Sequence, residues 1–82
     1  MTQFKTADDA GTSGESFFEL GLMYSAGRTV PMDFVSAHKW FSLAAMQGDN
    51  RAIRLRLEIA AEMSTAEITS AQRAARAWAK AA

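Results

Sequence analysis

The sequence predicts an all-α domain of about four helices that short turns join into antiparallel hairpins. Three observations lead to this prediction. Four segments repeat apolar residues at spacings of three and four, which places those residues on one face of a helix. Glycines, capping residues and a single proline separate the segments. No segment alternates apolar and polar residues as a half-buried strand does.

Composition narrows the class of protein before any motif is considered. The chain has 82 residues, 49% of them apolar and 22% charged, which is typical of one globular domain. It has no cysteine, which excludes disulfide scaffolds, thiolate zinc sites and cysteine nucleophiles. Nine basic residues balance nine acidic ones, and a net charge of zero argues against a protein that depends on contacts with a nucleic-acid backbone.

Residues 1–13 show neither a helical nor a strand period and are rich in Gly, Thr, Ser and Asp. We therefore expect a flexible tail over residues 1–13 and a helical domain over residues 14–82. The tail lacks the apolar stretch of a signal peptide, and no apolar run approaches the roughly 18 residues that a membrane span needs. We expect a cytoplasmic protein without a membrane span.

The first two predicted helices have clear start and stop signals. The first covers residues 15–26, ends at Gly27, and has an apolar face made of Phe17, Leu20, Gly21 and Tyr24. The second covers residues 34–47, with Asp33 as its N-cap. Its apolar face mixes small and large side chains, so that a neighbouring helix can approach closely: Ala37, Trp40, Phe41, Ala44 and Ala45.

The third predicted helix, residues 51–62, is apolar over more than half of its circumference. We expect it to be the most buried helix, with neighbours on two sides. A capping box at Ser64–Glu67 then starts a fourth helix that reaches about residue 80. Its outer face is basic.

The segment from Leu20 to Ala52 contains the spacing LGxxYxxGxxVxxDxxxAxxWFxxAAxxGxxxA. It resembles a Sel-one-like repeat, a relative of the tetratricopeptide repeats. Thr29 departs from the pattern, because members often have a second glycine there. The remainder of the chain is similar to the terminal half-repeat and closing helix of bacterial members. The resemblance implies a right-handed α-solenoid fragment with one full repeat, a half-repeat and a cap helix, and it implies an adaptor or scaffold that binds other proteins.

No group of residues indicates catalysis. His38 is the only histidine, and a lone histidine cannot build a zinc site. We expect it at the surface or at a groove edge. The serines have no histidine or aspartate partner at a recognisable spacing. The sequence therefore predicts no catalytic, cofactor-binding or metal-ligating residue, and a protein that is not an enzyme.

Charge is distributed unevenly along the chain. Residues 1–50 carry three basic and six acidic side chains, whereas residues 51–82 carry six basic and three acidic ones. This asymmetry can steer a charged partner or favour head-to-tail self-association. It leaves open a small regulator that binds nucleic acid through the Arg-rich C-terminal half. An unrecognised small hydrolase is a further alternative.

The favoured function is a non-catalytic protein-interaction module, an adaptor or small accessory subunit of a complex. A stack of about one and a half repeats leaves one edge without a neighbour, and repeat edges expose apolar surface unless they are capped. We expect the exposed patch at the N-terminal edge, where another protein or a second copy of the chain would dock. The candidate partner-binding residues are Phe17, Phe18, Leu22, Met23, Tyr24, His38 and Lys39.

Overall fold

The computed structural model describes residues 14–81 and consists of four helices joined by short turns. The helices are α1 (Gly14–Ala26), α2 (Phe34–Met46), α3 (Asn50–Ala60) and α4 (Thr65–Ala81). The described part of the chain contains no strand. The all-α class and the four predicted helices are therefore confirmed. The predicted tail, residues 1–13, lies outside the described residues.

Local signals in the sequence set the helix boundaries. The Asp33 carboxylate accepts the N–H groups of Val35 and Ser36 at 3.1 and 3.2 Å, which starts α2. The Asp49 carboxylate accepts the Arg51 N–H at 3.1 Å and starts α3 in the same way. Gly27 and Gly48 follow α1 and α2 with φ values of 70° and 94°, which only glycine adopts at little cost.

The predicted capping box at the start of α4 is present. The Glu67 N–H donates to Ser64 Oγ at 3.1 Å, and the Ser64 N–H donates to Glu67 Oε1 at 2.9 Å. Two backbone N–H groups that a helix start leaves without partners are thereby satisfied.

The central helix of the domain is α2. It packs against α1, α3 and α4, whereas α3 and α4 pack against α2 rather than against each other. The prediction that the third helix would be the most buried is wrong: in α3 only Ala52 is buried, and Ile53 and Leu57 are exposed. The sequence of α3 is apolar over more than half of its circumference, but a neighbouring helix covers only part of this apolar surface.

The right-handed solenoid stays a prediction, and one feature departs from it. Antiparallel hairpins would place α4 along α3, but α4 packs against α2 and reaches α1 through Trp78. The space between α3 and α4 is consequently open above α2.

The core lies where α1 crosses α2. Phe41 is fully buried, and its ring lies so close to Gly21 that a Cβ at that position would be 2.5 Å from it. Glycine therefore permits the close approach of the two helices. The Phe18 ring packs on Phe41 at 5.7 Å between centroids. These contacts explain why the apolar face predicted for the second helix is buried.

A second aromatic group joins α1, α2 and α4. The Phe17 ring stacks on Trp40 at 5.7 Å and meets the edge of Trp78 at 5.2 Å, and the two indoles lie 5.7 Å apart in a T-shaped arrangement. Such pairs contribute about 0.5–1.5 kcal/mol each beyond the area they bury. This cluster holds α4 against the first two helices.

None of the helices within residues 14–81 has the length and apolar character needed to span a membrane.

Candidate functional site

The structure places the predicted partner-binding phenylalanines in the core. Phe17 and Phe18 are only 2% and 7% exposed, because Trp40 and Trp78 cover the first ring and Phe41 covers the second. The Arg51 guanidinium closes the remaining side of Phe18, 4.0 Å from the ring centroid. The prediction of an exposed apolar patch built on these two residues is therefore wrong.

The other residues predicted for that edge are half-buried. Leu22 and Tyr24 pack against the core, and Met23 is half-buried as well. The Lys39 ammonium lies 4.2 Å from the centroid of the Trp40 ring, a cation–π contact. The large apolar side chains that are exposed lie elsewhere, at Met32, Met46, Ile53 and Leu57.

His38 is buried, with 4% of its surface exposed, which contradicts the exposed position predicted for it at the surface or at a groove edge. Its Nδ1 lies 3.5 Å from Ser42 Oγ, one turn further along α2. Ser42 Oγ in turn accepts a hydrogen bond from Arg56 Nη1 of α3 at 3.3 Å. Burial, and secondarily the positive charge of Arg56, hold the pKa of His38 below its usual value. The imidazole is therefore neutral at pH 7.

An open cleft of about 490 Å³ runs along α4 beside the end of α2. Met46 of α2 and two alanines of α4, Ala77 and Ala79, supply its apolar surface. Its charged lining residues are Arg73, Arg76 and Lys80. Met46 is 64% exposed, so this side chain is available to a partner.

A smaller pocket of about 250 Å³ adjoins the cleft and lies among α2, α3 and α4. It shares Met46 and Arg76 with the cleft, and its other lining residues are Ser42, Arg56, Gln72 and Ala75. We call the small pocket the inner pocket and the two together the basic groove. The groove exists because α3 and α4 both rest on α2 without touching along their lengths.

The charge of the basic groove has one sign. Four cationic side chains line it, Arg56, Arg73, Arg76 and Lys80, and none of the lining residues within residues 14–81 is acidic. The three cations of α4 recur at spacings of three and four, which brings them to one side of that helix. The groove can therefore bind a ligand that combines negative charge with apolar groups.

The basic outer face of the last helix was predictable from the sequence, but the predicted partner site lay at the N-terminal edge of the domain. The position of Arg56 in the groove could not be predicted from the sequence, because it depends on α3 and α4 both packing against α2. The spacing of Arg73, Arg76 and Lys80 was the available signal.

No set of three histidine, cysteine, aspartate or glutamate side chains lies close enough to hold a metal ion within the described residues. Within that same part of the chain, the only titratable group in the hydrogen-bonded chain beside the groove, apart from Arg56, is His38.

Comparison with known proteins gave no match to a family model, to a curated protein or to a solved structure. The resemblance to Sel-one-like repeats thus rests on the sequence pattern, chiefly the motif from Leu20 to Ala52.

Proposed function

We propose that the protein is a non-catalytic interaction module, an adaptor or small accessory subunit, that binds an acidic, amphipathic segment of a partner protein in the basic groove. The observation that carries this proposal is that one groove combines an exposed apolar side chain, Met46, with four cations and, among the residues that the structure describes, no carboxylate. Helical segments commonly dock in such grooves through apolar anchors, while complementary charges set their specificity.

The outer face of α3 carries further exposed apolar side chains. Ile53 and Leu57, which are 40% and 65% exposed, lie one turn apart on the side of α3 next to Arg56. Apolar surface that is rimmed by charge is typical of a protein-interaction site. The resemblance to Sel-one-like repeats supports the same class of function.

A protein segment fits the basic groove better than a nucleic acid does. Proteins that bind single-stranded nucleic acids stack bases on aromatic side chains, and no aromatic residue of the described part of the chain lines this groove. Trp40 and Trp78 are engaged with Phe17 and with each other. The zero net charge of the chain also gives little long-range attraction for a polyanion.

Selection of random helical peptides displayed on phage tests the proposal. Peptides that bind the wild-type protein are expected to be enriched in Asp and Glu, with apolar residues three or four positions apart. The double variant Arg73→Glu/Arg76→Glu should bind the selected peptides at least about tenfold more weakly, because each reversal replaces an attraction by a repulsion.

Arg54→Glu is the matched control, since Arg54 is exposed on α3 but does not line the groove. It should retain most of the affinity, and circular dichroism should show the same helix content in all variants. Peptides without acidic enrichment, or equal losses in the groove and control variants, would contradict the proposal. Tighter binding of an unrelated single-stranded RNA than of any selected peptide would favour the nucleic-acid alternative instead.

A further inference from the structure

We infer that the inner pocket is a phosphoryl-binding site, so that the segment docked in the basic groove carries a phosphorylated side chain whose phosphate sits between Arg56 and Arg76. This inference rests on the proposed function for the identity of the ligand as a protein segment. The site itself follows from three features of the pocket: an unneutralised half-buried cation, a fixed orientation of that cation, and a charge that matches a dianion.

The first feature is the state of Arg56. Its side chain is half-buried between α3 and α2, and no carboxylate among the described residues pairs with it. Its hydrogen-bond partner is the neutral hydroxyl of Ser42. Withdrawing a cation from water without a counter-charge is unfavourable, and an anion bound beside it removes that cost. The pocket is open at this point, so a ligand can supply the anion.

The second feature is the hydrogen-bonded chain that orients Arg56. The guanidinium only donates, so Ser42 Oγ accepts from Arg56 Nη1 and its own proton is free to point toward Nδ1 of neutral His38. Ser42 and His38 are both buried, which fixes the position of the hydroxyl. A guanidinium has five N–H donors, and this contact uses one of them. The others remain for a ligand.

The third feature is the match of charge and donors. Two guanidinium groups, Arg56 and Arg76, and the Gln72 amide line the pocket, and no acidic side chain of the described residues does. A phosphate monoester carries a charge of about −1.5 to −2 at pH 7 and offers three acceptor oxygens. A carboxylate brings only one negative charge. Arginine clusters that bind phosphorylated residues use the same charge-assisted, often bidentate, hydrogen bonds.

His38 reports on the occupancy of the pocket. The charge of Arg56 helps to hold the pKa of His38 down, so an anion bound to Arg56 offsets that charge and raises the pKa of His38. His38 is the only histidine in the chain, so its imidazole proton resonances can be followed without assignment ambiguity.

The experiment is a proton NMR titration of His38 in the full chain, first free and then with phenyl phosphate or with phenylacetate. The two probes have the same apolar ring and differ in the charged group. We expect phenyl phosphate to bind and to raise the pKa of His38, and phenylacetate to bind at least about tenfold more weakly. Arg56→Gln should raise the pKa of His38 in the free protein and abolish the response to phenyl phosphate.

Two further variants test whether a loss of phenyl phosphate binding comes from the inner pocket itself. Arg76→Gln changes an exposed side chain of the same pocket and should weaken phenyl phosphate binding without altering the fold. Arg54→Gln, outside the pocket, should leave it unchanged. Equal affinity for the two probes, or a response that survives Arg56→Gln and Arg76→Gln, would overturn the phosphoryl site.

The phosphoryl site and the proposed function can fail separately. If acidic peptides bind the basic groove while phenyl phosphate gives no response at His38, the proposed function stands and this inference falls. If phenyl phosphate binds, the next probes are one selected acidic peptide with a central serine, its phosphoserine form, and an unrelated single-stranded RNA. Preference for the phosphoserine form supports the inference. Preference for the RNA would overturn the assignment of the phosphate to a protein.

Discussion

Thr29 is the one non-glycine residue in the described part of the chain with a left-handed backbone, at a φ of 66°. This conformation costs an L-residue roughly 1–2 kcal/mol, and a β-branched side chain tolerates it poorly. Thr29 is also the position where the Sel-one-like pattern often has a second glycine. The departure from the motif and the backbone strain therefore fall on the same residue.

Thr29→Gly is expected to stabilise the domain by about 0.5 kcal/mol. Glycine relieves the free-energy penalty of the left-handed backbone. This gain exceeds the cost of the extra conformational entropy that glycine gives the unfolded chain, which is about 0.4–1 kcal/mol. For a domain of this size the melting temperature should rise by about 2–4 °C. Thr29→Ala keeps the Cβ that causes the penalty and should bring no such gain. A lower melting temperature for Thr29→Gly than for wild type would contradict the interpretation of the loop.

At the scale of single elements, the start of α4 is the most directly testable. Ser64→Ala removes the hydroxyl that accepts the Glu67 N–H and should cost about 1 kcal/mol in the free energy of unfolding. Ser70→Ala makes the same chemical change at an exposed position within α4 and should cost little or nothing. Urea unfolding of both variants measures the difference. Equal costs for the two substitutions would show that the cap contributes nothing.

The helices and their boundaries could be predicted because the signals that define them are local. The Asp33 cap and the Ser64–Glu67 box act within three residues of the chain, and the structure contains both. The burial of α3 could not be predicted in the same way. Apolar periodicity indicates which faces of a helix can be buried, but the packing of neighbouring helices determines which of these faces are buried. Ile53 and Leu57 remained exposed for that reason.

The candidate site was missed for a related reason. The prediction placed the site at the N-terminal edge, where no neighbouring helix was expected to cover Phe17. Because α4 instead crosses α2, Trp78 covers Phe17 and a groove opens between α3 and α4. The positions of Arg56 and Arg76 relative to each other depend on that crossing, which no spacing in the sequence encodes.

At the scale of the whole molecule, the buried His38 makes stability depend on pH. Its pKa is lowered in the folded state, first by burial and then by Arg56, from the value of about 6.5 of an unperturbed histidine. Below that value the unfolded chain binds the proton more readily than the folded one, so acidification favours unfolding. The stabilisation is complete above about pH 6.5 and declines as the pH falls toward the lowered pKa.

The melting temperature should therefore fall between pH 7.5 and pH 5, and His38→Gln should remove most of that slope whatever its effect on absolute stability. Asp49 does not interfere, because its carboxyl, whose pKa the hydrogen bond from Arg51 lowers, affects stability only at more acidic pH. The scans need buffers without phosphate, which would occupy the inner pocket. The same slope in wild type and His38→Gln would refute the assignment.

Because α3 and α4 pack separately against α2, the fold also affects how cooperatively these two helices open. Since neither helix packs along the other, we expect local opening of one to remove few contacts of the other, so that the two can open semi-independently from α2. A ligand in the inner pocket touches residues of both, Arg56 on one side and Gln72 and Arg76 on the other. Opening of either helix therefore breaks contacts with the ligand, and its binding free energy is lost. Occupancy would couple two fluctuations that are nearly uncorrelated in the free protein, and would tighten the domain without moving its average structure.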